Sequence, residues 1–245
     1  MKPTLFLSDL HLSTARPALA ASFVAFCAGP ARDAAAVYIL GDLFDAWLGD
    51  DQLREPLPAQ IVEAIAAVAR AGVPVAIISG NRDFLIGERF ARTARATLLP
   101  ERVVVNVGGT PTLLMHGDEL CTGDVNYQRM RAITHNPKWQ RRMLALPYRL
   151  RRRIASWLRE KSRRAKAAKP EAIMDVEPGA VAAAFRAANV TRIIHGHTHR
   201  PARHQLVVDG RDCERWVLAD WYSRGSYLAF DESGARTCGT PMPAG

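Results

Sequence analysis

Cysteine is scarce and unpatterned in this chain. Its four residues, Cys27, Cys121, Cys213 and Cys238, form no C-x-x-C pair, which excludes a zinc ribbon and a disulfide framework. Long apolar runs are missing too. A membrane-crossing helix needs ~18 or more uninterrupted apolar residues. The longest contender, from Ile61 to Ile78, is broken by Glu63, Arg70, Gly72 and Pro74. The N-terminal segment meets Asp9 before any secretory apolar stretch develops, so a soluble, cytoplasmic protein is expected. No internal repeat or low-complexity tract is visible. Acidic residues are the last shortage: 24 Asp and Glu against 33 Lys and Arg give a net charge of +9. That excess points to an anionic partner, with nucleic acid, a phosphorylated substrate and an acidic membrane surface all open.

The chain has 245 residues, 48% of them hydrophobic, enough for one generous domain or a domain with an insertion. Short apolar runs alternate with helical stretches through the first 120 residues. Residues 4–8, 37–40 and 73–79 read as buried strands, and 17–27 and 58–71 carry apolar residues at helical spacing. Residues 103–107 and 112–115 read as a hairpin around Gly108-Gly109. Strands return at 192–194, 205–208, 215–219 and 226–230. The pattern predicts an α/β fold with antiparallel pairs late in the chain.

The middle segment differs in kind. Residues 138–169 hold thirteen Lys and Arg and one acid, Glu160, so this stretch carries +12 and the rest of the protein −3. Its apolar residues, Trp139, Met143, Leu146, Leu150, Ile154 and Trp157, recur at steps of three and four. They form one helical stripe, which Pro147 splits in two.

The ends of the strands carry the chemistry. Asp9-x-His11 follows the first, Gly41-Asp42 the second and Gly80-Asn81 the third. His116 follows the strand at 112–115, and His197-x-His199 the strand at 192–194. Carboxyl ends of strands are where sites assemble in open α/β sheets. Seven oxygen and nitrogen ligands exceed one tetrahedral zinc and suit two ions sharing a carboxylate. The imidazoles favour Mn, Fe, Co or Zn over Mg or Ca. Each motif alone is weak; five in this order are not a coincidence.

Asp9-Leu10-His11, Gly41-Asp42, Gly80-Asn81-Arg82-Asp83, His116-Gly117-Asp118 and Gly196-His197-Thr198-His199 resemble the motif set of the calcineurin-like metallophosphoesterases. The resemblance implies a four-layer αββα sandwich with two metals. Asp9, His11, Asp42 and His199 would hold one, and Asp42, Asn81, His116 and His197 the other, with Asp42 bridging. A hydroxide held between the metals would attack phosphorus. Many members read G-N-H-[DE], where the His assists the leaving group; here Arg82 takes that place. A phosphate leaving group needs little proton help, so Arg82 points to a pyrophosphate, neutralising its charge.

Longer stretches, 40–51, 80–91, 172–176 and 194–201, are similar to the branch of that family that hydrolyses UDP-2,3-diacylglucosamine in lipid A biosynthesis. That resemblance implies two Mn2+ per chain and attack at the α-phosphorus to give UMP and a diacylated sugar phosphate. It places substrate contacts on Asn81, Arg82, Asp124, Ser162, Lys166, Lys169 and His197, with Asp42, Asn81 and Arg82 catalytic. Lys166 departs from the Asn of some relatives.

The body is then expected at 1–122 and 171–245, with 123–170 a basic amphipathic helical insertion lying over the site as a lid. Its apolar stripe would line an acyl pocket, and its basic face would rest on anionic lipid at roughly 1 kcal/mol per well-placed cation. The expected location is the cytoplasmic side of a bacterial inner membrane, with no nucleic-acid partner and no obligate protein partner. Rival readings are a nuclease or cyclic-nucleotide phosphodiesterase, and a basic binding module with structural metals. Asp118 is expected to orient His116, and His195 to stand behind the ligands.

Overall fold

A computed structural model of the chain describes residues 2–167, 175–222 and 225–240, with side chains outside 158–167 and 240. Two sheets form its centre. The first runs β11 (Gly234–Thr240), β10 (Gly225–Asp231), β1 (Thr4–Leu7), β2 (Ala36–Leu40), β3 (Val75–Ile78) and β4 (Thr97–Leu98). Strands β1 to β4 are parallel, and β10 closes antiparallel on β1 with Leu5 opposite Ala229. The second runs β5 (Arg102–Val107), β6 (Thr110–Met115), β7 (Arg192–His195), β9 (Arg211–Val217) and β8 (Ala202–Val208).

Alternation along each strand sorts the side chains into layers. Leu5, Leu7, Val37, Ile39, Val75 and Ile77 face helices, while Phe6, Leu40 and Ile78 face the other sheet. Across the gap, Leu114 and Ile194 meet them, and Leu113 and Ile193 turn outward. Strands covered on both faces read as continuous apolar runs, which is why they were legible. Helices α1 (Pro17–Ala28), α2 (Pro56–Arg70) and α3 (Glu88–Ala94) cover the first sheet through Phe23, Ile61, Ile65 and Phe90. Helix α7 (Pro178–Ala188) covers the second through Val181 and Phe185. The four-layer αββα order is present.

The hairpin of β5 and β6 turns at Gly108 and Gly109, both at positive φ, as a tight primed turn requires. Strands β8 and β9 each start earlier than their apolar residues suggest, because exposed positions lengthen both at the N-terminal end; a second tight turn, Asp209-Gly210, joins them. Pro147 does divide the basic segment: α5 (Pro137–Leu144) stops short of it and α6 (Tyr148–Ala167) starts after it. With α4 (Val125–Thr134), these helices leave the body after Leu120 and return at Glu177, whose N–H bonds the Leu120 carbonyl at 2.9 Å.

The apolar stripe of this segment is not ordinary core. Helix α5 buries no residue, and Leu144, Leu150 and Trp157 are exposed. Trp139 and Met143 are half-buried, Trp139 against the ring of Phe84 and Met143 against the first core. A buried arginine anchors α6 instead: Arg151 pairs with Asp51 and bonds the Leu48 carbonyl.

Candidate metal centre

Strand ends β1, β2, β3, β6 and β7 carry the seven residues singled out in the sequence, and the fold brings all seven together. Asp9, His11 and His199 form one cluster with ligand atoms within 4.8 Å of one another; Asp9, Asp42 and His116 form a second. Asn81 joins the second cluster, its Oδ1 lying 3.0 Å from both His116 Nε2 and His197 Nδ1. Asp9 thus belongs to both clusters, a position the sequence had given to Asp42 alone.

The backbone at these positions is unusual. Asp9, His11, Asp42, His197 and His199 all have φ between 47° and 71°. Left-handed backbone costs a non-glycine residue ~1–2 kcal/mol, so five such residues in one centre mark a site where side-chain aim overrides local comfort. Tight approach adds to this. A Cβ on Gly196 would lie 2.2 Å from Asp9 Oδ2, and one on Gly41 would lie 2.5 Å from His116 Nδ1. Both glycines let neighbouring loops close.

Polar atoms without partners show what the centre is built to hold. His116 donates from Nδ1 to the Leu40 carbonyl at 2.9 Å, so when it gives up its second proton the ring presents a lone pair at Nε2, facing the lone pairs of Asn81 Oδ1. His11 Nε2 and His199 Nε2 stand 3.4 Å apart; Asp9 Oδ1, 3.3 Å from His199 Nε2, and His11 Nδ1 are buried and meet the geometry of no hydrogen bond among the described residues. Acceptors aimed at acceptors repel until a cation lies among them. Borderline nitrogens mixed with carboxylate oxygens suit a first-row divalent ion. The donor set fits two metals.

Electrostatics agree. Burial pushes the His11 imidazole down to about 3, keeping it neutral and able to ligate. Burial would lower His116 as well, but the Asp42 and Asp9 carboxylates hold it up to about 9. Burial raises Asp42, reinforced by Asp83 and Asp9. An imidazolium among buried carboxylates is the substitute such a centre makes for an ion.

Several supporting residues were not legible. Asp83, fully buried, accepts the N–H groups of Gly80, Leu43 and Asp42. Ser8 Oγ and the His197 N–H fix Asp9 Oδ2 at 2.6 and 2.8 Å. Tyr222 stacks on His11 at 5.2 Å with the Arg16 guanidinium over its ring. The G-N-R-D motif contained Asp83; nothing local signalled Tyr222. Asp118 corrects an expectation: it bonds Tyr127 Oη at 2.6 Å and Arg131 Nε at 2.8 Å, because the Leu40 carbonyl already occupies His116 Nδ1. Behind the ligands, His195 donates from Nδ1 to the Gly196 carbonyl and accepts from Arg215.

Arg82 is half-buried beside the centre. Its N–H bonds Asp42 Oδ1 at 2.8 Å, and its guanidinium forms no ion pair among the described residues. Asp124 caps α4, accepting the Tyr127 N–H at 3.0 Å. Ser162 and Lys166 lie on α6 where side chains are not described, and Lys169 lies outside the described residues.

The calcineurin-like phosphoesterase family model matches residues 2–201. The chain belongs to the calcineurin-like phosphoesterases. Among curated members of that family, UDP-2,3-diacylglucosamine hydrolase of Shigella dysenteriae serotype 1 is 51% identical over 225 residues, covering 92% of this chain and 93% of the relative. The protein of the same name from Escherichia fergusonii matches equally, at 51% over the same shares. A solved archaeal phosphodiesterase aligns over 97% of this chain and 99% of its own, at 10% identity and a TM-score of 0.48.

Proposed function

We propose that this phosphoesterase hydrolyses the pyrophosphate bond of UDP-2,3-diacylglucosamine, with two Mn2+, to UMP and 2,3-diacylglucosamine 1-phosphate in lipid A biosynthesis. The observation that carries the reading is 51% identity sustained over nearly the full length of relatives bearing that substrate's name. It is supported by seven donors at one centre and by Arg82 at the place where many family members carry the His of G-N-H-[DE]. Hydrolysis itself follows from family membership.

Asp9, His11, Asp42 and His199 would hold one cation, and Asp42, Asn81, His116 and His197 the other. Bound divalent cations polarise phosphoryl oxygens and lower the pKa of water. The Leu40 carbonyl fixes the His116 tautomer, the Arg82 N–H orients Asp42, and Ser8 and the His197 N–H orient Asp9. Arg82 neutralises charge building on the diphosphate, bidentate in the ideal case. Water attacks the α-phosphorus and loses a proton to solvent; the bond from that phosphorus to the bridging oxygen breaks, and the sugar phosphate departs with that oxygen as an anion that needs no imidazole acid.

Asn81, Arg82, Asp124, Ser162, Lys166, Lys169 and His197 contact the substrate. Residues 123–170 act as the lid. Its exposed Leu144, Leu150 and Trp157 meet the acyl chains, and its cations rest on the anionic cytoplasmic leaflet of the inner membrane. Purified chain with Mn2+ should convert the acylated sugar nucleotide to UMP and lipid phosphate by mass spectrometry. Turnover of only phosphomonoesters or unacylated nucleotides would defeat the reading. In 18O-water the label should enter UMP; label in the lipid phosphate would place attack at the other phosphorus.

A further inference from the structure

On β9, Cys213, Arg215 and Val217 share one face, and Cys213 belongs to the core under α7. Arg215 therefore points to the outer side of the second sheet, away from the gap between the sheets. It is only 8% exposed. Its one hydrogen bond among the described residues is to the neutral acceptor His195 Nε2, at 2.9 Å. Arg215 forms no ion pair among the described residues, and burial pulls it below the ordinary guanidinium value. A buried cation without a matched anion is costly.

Arg215 opens on a cavity of about 230 Å3 whose walls include Thr198, Arg200, Ala202, His204 and Asp175. Thr198 Oγ1 is buried and has no hydrogen-bond partner among the described residues. Asp175, the one carboxylate among the wall's described residues, lies against Arg200, with Oδ2 2.6 Å from Nη1, and also acts electrostatically on Arg215; set against both guanidinium groups, it leaves those described residues with one net positive charge. Thr198 sits between His197 and His199, on the reverse of the loop that supplies two metal-ligand candidates.

We propose that this cavity binds a phosphate group, either free phosphate or the phosphate of a nucleotide, at a site separate from the metal centre. The guanidinium fork of Arg215 supplies charge and parallel donors, and Thr198 supplies a hydroxyl. Occupancy would brace the His197–His199 loop from behind.

The test is calorimetric titration of the full, Mn2+-loaded chain with inorganic phosphate, UMP and uridine, repeated with chelator to remove binding at the metal centre. A binding event should survive the chelator and weaken at least tenfold in Arg215→Met. Ala202→Glu, which adds a competing carboxylate at an exposed wall position, should weaken it similarly without touching the His195 contact. Binding of both phosphate and UMP supports the site through their common group. Binding of only one supports it and names the source. Uridine binding as tightly as UMP overturns it, as does the absence of any chelator-resistant event. Affinities within twofold of wild type in both variants also overturn it.

Discussion

Asp83 accepts the backbone N–H of Asp42 at 3.3 Å, and through the N–H groups of Gly80 at 2.7 Å and Leu43 at 2.8 Å it laces two ligand loops together. Its carboxylate is fully buried. Neither loop has regular secondary structure to hold it, so this side chain, together with the Arg82 N–H on Asp42 Oδ1 at 2.8 Å, sets the separation of Asp42 from Asn81.

Asp83→Ala should therefore strand three buried donors. At ~1–3 kcal/mol for each unsatisfied buried group, a loss of about 3 kcal/mol or more is expected in urea unfolding. Metal content, read by mass spectrometry, should fall with it. A loss under about 1 kcal/mol would show that water replaces the carboxylate.

Asp42→Ala should keep its circular dichroism and lose turnover by several orders of magnitude, because that carboxylate belongs to the second cluster and lies 3.8 Å from His11 Nδ1 of the first. Arg82→Lys keeps the charge but not the fork and should cost about tenfold in kcat/KM. Equal rates for wild type and Arg82→Lys would mean a point charge suffices.

Acidity should set the stability of the metal-free protein in a stated direction. The carboxylates hold folded His116 up to about 9 against an ordinary 6.5. Its stabilising contribution is full below pH 6.5 and is lost as pH rises through about 9. The raised Asp42 carboxyl acts in the same sense, favouring the protonated folded form. Chelator-treated protein should melt at progressively lower temperature across that window, and Mn2+ should restore more at pH 9 than at pH 6.5. A melting temperature independent of pH would contradict the protonated His116.

Arg149, Arg152 and Arg153 are exposed on α6. Changing all three to Gln should weaken co-sedimentation with phosphatidylglycerol vesicles by about fivefold per residue, from roughly 1 kcal/mol each. High salt should abolish the difference. Unchanged sedimentation at low salt would remove the membrane role of this face.

The sequence was most readable where local pattern and global role coincide. Strands β1, β2, β3, β6 and β7 are apolar on both sides and end in a ligand, so their purpose survives without coordinates. Strand β11, Gly-Ala-Arg-Thr-Cys-Gly-Thr, carries no such pattern, because only its hydrogen bonds to β10 make it a strand. Helix α7 is Ala-rich and short, and its role emerges only where Phe185 enters the second core. The ligands were legible as motifs; the residues that aim them were not. The bond from His116 to the Leu40 carbonyl spans 76 positions, and no spacing rule reaches that far.

The bond between Glu177 and Leu120 makes the basic segment a detour that leaves and rejoins the body at a single point. Both sheets, α1 to α3 and α7 are complete without it, so a short turn bridging those two residues would restore an uninterrupted phosphoesterase framework. The strand ends that carry the ligands lie outside that detour, so its length and charge are not fixed by the ligand geometry.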